Sequence, residues 1–226
     1  MGVASLDNEI YLLRAKGRDH VEVYDVTTYQ LLRCLTVPNC RGVTDMSICG
    51  HYRCMYVSDQ IVECVHRVGL QDSATRWPVK DKPHALSVNA AHNVLVTCRV
   101  VRKIKEFNSS GGLLRELTLP DGILTPWHAV QLTSGQFIVC HGDLGDAVHR
   151  VCKISADGRH IVHSHGGQRG ADTGQYYGPV HLAVDNNEFV FVVDANNRRV
   201  TLLSPTLDYI RRVVSRDKLK WRPQSA

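Results

Sequence analysis

Apolar residues along this chain fall into short runs, each closed by a cluster of Gly, Pro, Asn, Asp or Ser. Runs such as VLVTC (94–98), FIVC (137–140) and VFVV (190–193) are apolar on consecutive residues, which predicts strands buried on both faces. Other runs carry charge or polarity: Arg33, Arg76, Arg115 with Glu116, His160 with His163, and Arg211 with Arg212. Such residues predict exposed edge strands that resist pairing with other chains. No stretch keeps an apolar period of 3.6 residues, so almost no helix is expected.

The runs repeat in order. PHALSVNAAHNVLVTC from Pro83, PWHAVQLTSGQFIVCH from Pro126 and PVHLAVDNNEFVFVVD from Pro179 align without a gap, and TDMSICGHYRCMYVSD from Thr44 fits the same register. These start points lie 39, 43 and 53 residues apart. After each comes a third strand (IVECV, KIKEF, RVCKI, RVTLL), a turn signal (NSSGG, SADGR, SPTLD in the last three) and a fourth strand. Four short strands per 40 or so residues is the period of a β-propeller blade. The fold class expected is therefore all-β, a propeller of four-stranded blades.

About five blades can be counted. EIYLL, HVEVYDV and YQLLRCLTV supply the second to fourth strands of a partial blade over 1–40, whose first strand is missing. Whole blades start near 44, 83, 126 and 179, and an incomplete one starts near 219. Either the tail closes a five-bladed ring or the chain is a fragment of a larger propeller. The three residues after Pro223 are too few for a strand, which favours the fragment.

Composition changes this picture little. The chain has 226 residues, 43% apolar and 22% charged, with a formal net charge of +5. A chain of this length buries its own core without disulfides. Its eight cysteines contain no C-x-x-C pair and several lie in strand runs, so reduced thiols and a cytoplasmic location are expected. No apolar segment approaches a membrane span, and no membrane partner is expected.

The stretch P-V-H-L-A-V-D…V-F-V-V-D-A-N-N-R-R-V, 179–200, resembles the NHL repeat, and the copies at 44, 83 and 126 keep its spacing with less of its polar signature. NHL propellers usually have six blades and often follow the RING, B-box and coiled-coil segments of tripartite-motif proteins. The resemblance implies a non-catalytic module that binds RNA or a protein, without a cofactor. Ubiquitin-transfer chemistry in that family belongs to segments not found in this sequence. A fragment of a six-bladed NHL propeller, monomeric as a domain, is the expectation that follows.

The candidate chemistry is mainly basic. Loops joining second to third strands hold Arg14, Lys16, Arg18, Arg99, Arg102, Lys103, Arg150, Arg198 and Arg199 against Asp19, Asp59, Asp143, Asp146 and Asp194. In a propeller these loops share one face, which would suit RNA phosphates or an acidic protein surface. The leading contacts expected are Arg99, Arg102, Lys103, Arg198 and Arg199, with Trp127, Tyr176 and Tyr177 as stacking platforms. Asp194 and the two asparagines after it read first as a turn.

Histidine offers the alternative. His84, His128 and His181, with Thr44, take matching positions at first-strand ends, where lactonases and lyases similar to NHL proteins gather a metal at the central channel. No acid recurs beside them, so no metal is assigned. HGDLGDAVH (141–149) lacks the oxygen alternation of a calcium loop, and GGQRGADTGQYYG (166–178) lacks the Lys-Ser/Thr of a phosphate loop.

Overall fold

Strands buried on both faces demand a neighbour on each side, and the sheet order satisfies that demand. The computed structural model describes residues 2–14, 20–70, 73–215, 217–219 and 223. Among them are twenty strands in five four-stranded antiparallel sheets, each built from four consecutive strands, and no helix. This is the strand arrangement of a five-bladed β-propeller.

The first sheet holds β1 (Gly2–Leu6), β2 (Glu9–Leu13), β3 (His20–Asp25) and β4 (Leu31–Thr36). The second holds β5 (Val43–Cys49), β6 (Cys54–Asp59), β7 (Cys64–Gly69) and β8 (Ala74–Pro78). The third holds β9 (Ala85–Val88), β10 (Val94–Cys98), β11 (Lys103–Phe107) and β12 (Leu113–Thr118). The fourth holds β13 (Pro126–Gln131), β14 (Phe137–His141), β15 (Val148–Ile154) and β16 (Ile161–Gln168). The fifth holds β17 (Pro179–Val184), β18 (Val190–Asp194), β19 (Arg199–Leu203) and β20 (Tyr209–Val214).

The first blade is thus whole, against the expectation of a missing strand. Gly2–Leu6 pairs with β2 from Gly2↔Leu13 to Leu6↔Glu9, and the turn between them puts Asp7 at φ 53°. A five-residue strand with a single two-residue turn leaves little punctuation to read. The residues 220–222 and 224–226 of the tail expected to start a further blade lie outside the described residues, as do Lys16, Arg18 and Asp19.

The chain divides into two compact units, Met1–Val101 with Lys105–Glu116, and Arg102–Ile104 with Leu117–Ala226. In the first unit, β6 is buried at all six positions and serves two cores. Cys54 and Tyr56 face Trp77, Val94, Val96 and Phe107, while Met55 and Val57 face Tyr11, Val21 and Val23. The second unit centres on Ile138, Cys140, Val151, Leu182, Val192 and Leu203, from the fourth and fifth sheets. Each such aliphatic side chain contributes about 1.5–3 kcal/mol by leaving water.

The fourth strands are exposed, as their charge predicts. Arg33 on β4 makes a two-pronged pair with Glu9 at 2.5 and 2.8 Å, and Arg115 on β12 pairs with Glu106 at 2.5 Å. Glu106 also accepts from the amides of Asn89 and Asn93, both at 2.8 Å.

Candidate functional site

Two second strands end in a buried aspartate that bonds the backbone entering its own blade. At the end of β6, Asp59 accepts the N–H groups of Arg41, Gly42, Ile61 and Val62 at 2.6–3.2 Å. Burial pushes this carboxyl up, and the four amides outweigh it, leaving it below the usual carboxylate range. At the end of β18, Asp194 accepts from the Tyr177 amide at 2.8 Å, Asn197 Nδ2 at 2.7 Å and Arg199 Nε at 2.8 Å. The acid that stops the strand is therefore a clamp on the incoming chain.

This clamp removes two residues from the expected binding face. Arg199 is buried, and its remaining N–H groups donate to the carbonyls of Ala171, Asp172 and Gln175 in the 166–178 insert. Tyr176 is buried in the core of the second unit, with its hydroxyl 3.4 Å from Thr201 Oγ1. The insert folds back over the end of its own sheet, so both side chains face inward and neither meets a partner.

What stays at the loop end of the second unit is a different set. Arg169 donates to Leu144 O at 3.0 Å and lies over the Tyr177 ring at 5.1 Å, while Tyr177 meets His149 edge-on. Asn197 Nδ2 also donates to Gly170 O at 2.9 Å, so the 142–147 and 195–198 loops emerge at the same end as the insert. Trp127 is half-buried, its Nε1 donating to Gly142 O at 3.0 Å. Arg198 is half-buried at φ 51° in its turn. Arg102, at φ 54°, pairs with Asp121 at 3.4 Å, and Lys103 opens β11 half-buried.

The first unit presents a matching end. Ser58 Oγ donates to His84 O at 2.9 Å and His84 N–H donates to Thr97 O at 2.9 Å, so the loops after β6 and β10 leave together. Their tips are aliphatic. Ile61 is 66% exposed beside Arg41, and Val100 is 77% exposed beside Arg99. Leu144, in the corresponding loop of the fourth sheet, is 56% exposed. Reading the sequence for strands misses these tips, because a lone aliphatic in a turn carries no period. A shallow groove around the exposed Arg76, lined by Asn39, Arg41, Val62 and His66, is also invisible there.

The histidines fall one position out of the expected register. A bulge near the start of β5, β13 and β17 aligns Asp45, His128 and His181, which oppose Ser58, Cys140 and Val193. Ala85, opposite Thr97, holds that position in the third sheet, so His84 matches Thr44 instead. Within the second unit, His128 and His181 stack at 4.0 Å and 15°. His128 Nδ1 accepts the Leu182 N–H at 3.3 Å. Asp45 is buried in the first unit and accepts the Leu86 N–H at 2.8 Å.

The HGDLGDAVH loop is spent on itself. Asp146 Oδ2 accepts from the Thr125 hydroxyl and from Asp143 N–H at 2.8 Å. His149 accepts the Gly178 N–H at Nδ1 and lies 3.1 Å from Asp146 O at Nε2, which fixes a neutral ring. Burial lowers its pKa from the ordinary value. His141 is the exception. It is 1% exposed, and neither ring nitrogen has a hydrogen-bond partner among the described residues. Burial, helped by the Arg150 charge, lowers it to about 4.

No protein-family model matches the chain, and no curated protein matches it. Solved structures do. A streptogramin B lyase is 12% identical with a TM-score of 0.70, over 99% of this chain and 71% of that one. Virginiamycin B lyase from Staphylococcus aureus is 11% identical with a TM-score of 0.68, over 99% and 72%. A chain of the nidogen/laminin complex is 11% identical with a TM-score of 0.70, over 99% and 82%. At such identities the likeness shows the propeller fold alone.

Proposed function

We propose that this chain is a non-catalytic binding propeller that recognises an acidic protein segment through the loop ends of the sheets in its first unit. The observation that carries the reading is the recurrence of an exposed aliphatic tip, Ile61 and Val100, in the second-to-third-strand loops of two sheets that leave their unit together. Arg41, next to the Gly42 that Ile61 packs on, and Arg99, next to Val100, lie beside them. Aliphatic side chains on rigid turns cost little entropy to dock, and the flanking guanidinium groups select acidic partners. The buried carboxylates Asp59, Asp194 and Glu106 are each held by three or more donors, which argues against acid–base chemistry at these three.

The NHL resemblance supports a binding role and leaves RNA as the competing ligand. RNA reading asks for open aromatic faces. Tyr176 is buried and Tyr177 already carries Arg169, so the protein partner is favoured. The test is affinity capture with the parent and with an Ile61→Asp, Val100→Asp variant, with and without ribonuclease. Partners that survive ribonuclease and vanish with the variant support the reading. RNA retained equally by both proteins overturns it.

A further inference from the structure

The fourth and fifth sheets are built to the same register up to their strand ends. In the fifth, Pro179 opposes Asp194 and Asp194 opposes Arg199; in the fourth, Pro126 opposes His141 and His141 opposes Arg150. In the fifth sheet the carboxylate takes the arginine at 2.8 Å and the incoming amide as well. In the fourth, an imidazole stands where the carboxylate would be. Among the described residues Arg150 then has no ion pair and its buried Nε has no hydrogen-bond partner, and neither nitrogen of His141 has one.

Among the described residues no neighbour fills the gap. Asp146, the closest acid in the loop, gives Oδ2 to Thr125 and to the Asp143 amide, and His149 is bonded at both nitrogens. Desolvated donors without an acceptor are unfavourable, and an unpaired guanidinium is the most demanding of them. Arg150 is only half-buried, which leaves a path from solvent to its fork.

We infer that the end of β14 is a binding site for a carboxylate group, held by Arg150 and His141 in place of the aspartate that the fifth sheet supplies from within. A guanidinium fork matches the two oxygens of a carboxylate in one plane. The neutral imidazole adds one N–H to the same group. The carboxylate comes either from a small organic acid or from an Asp or Glu side chain of a bound protein, at the base of the loop that carries Leu144.

The test uses the full chain with ring-labelled histidine at pH 7. His141 is assigned by its loss in His141→Asp, and sodium acetate or a hexaglutamate peptide is titrated against sodium chloride of equal ionic strength. A saturable shift of the His141 resonance, weakened about tenfold or more in Arg150→Gln, is expected. Shifts with acetate alone assign a small acid, and tighter binding of the peptide assigns a side chain. Restoring the internal acid with His141→Asp should raise the melting temperature and abolish acetate protection against thermal unfolding. No shift beyond the chloride control with either probe, or an equal shift in Arg150→Gln, overturns the site. Arg150→Gln lies at a half-exposed position and keeps the test open where His141→Asp fails to fold.

Discussion

Arg199 Nε lies 2.8 Å from Asp194 Oδ2, with 6% of one side chain and none of the other exposed to solvent. Burial pushes the Asp194 carboxyl up, countered by Asn197, the Tyr177 amide and the Arg199 charge. The pair joins the end of one strand to the start of the next and to the 166–178 insert at once. Replacing Arg199 with Ala leaves the carboxylate buried and strips the donor from three insert carbonyls. We expect a loss of about 3–5 kcal/mol in urea unfolding. Limited proteolysis should then cut within 166–178. By contrast, Arg53→Ala removes an exposed pair with Asp7 and should cost less than about 1 kcal/mol.

Acid should destabilise the protein through its buried histidines. His141 is lowered to about 4, while in the unfolded chain it titrates near its ordinary value of 6.5. The facing charges are Arg150 on β15, which lowers it further, Asp146 in the loop, which opposes the shift, and His149. A depressed histidine contributes stability that is complete above pH 6.5 and is lost as the pH falls towards 4. The unfolded chain takes up the proton first. The loss from this ring amounts to about 3 kcal/mol at the low end. Burial lowers His66, His149 and His165 in the same direction. Melting temperatures between pH 7.5 and 4.5 measure it, and His141→Gln should flatten the slope. A parent protein equally stable at pH 7 and 5 would refute the assignment.

Changing the loop tips should separate binding from folding. Ile61, Val100 and Leu144 make few internal contacts to lose, so Ser at each position should shift stability by no more than about 0.5 kcal/mol. Capture of an acidic partner should fall at least tenfold when Ile61 and Val100 are changed together. Retained capture would move the interface elsewhere on the chain.

Metal content decides the enzymatic rival. The binding reading expects no stoichiometric zinc or calcium on protein purified without chelator. Metal present at one equivalent, and lost in His128→Ala or His181→Ala, would favour a lyase-like propeller built on the stacked pair.

Thiol reactivity should follow burial. All eight cysteines are free, and Cys34 is exposed on β4. Burial pushes Cys64 up to about 11 and Cys152 up to about 12, and raises Cys140 as well. A disulfide reagent at pH 8 should label Cys34 within minutes, and Cys64, Cys140 and Cys152 only after unfolding. Fast labelling of the buried set in native protein would contradict the packing of both units.

The blade pattern was legible because it rests on local chemistry. VLVTC and FIVC became β10 and β14, buried at every position, since consecutive apolar residues have only one stable environment. The arginines of YQLLRCLTV and GGLLRELTLP mark exposed edges for the same local reason. Sequence also located the Asp194 turn and the order of strands within each sheet. Tertiary structure decided the rest. The bulges that exchange Thr44 for Asp45 and drop His84 out of line depend on how each blade begins, and one residue of slip turns every side chain to the other face. Arg199 and Tyr176 looked like surface residues of a polar loop until the insert folded back over them. The unpaired His141 and Arg150 emerged only when two sheets could be compared strand end by strand end. Periodicity records which residues share a face; it does not record which carboxylate is within reach of a buried charge.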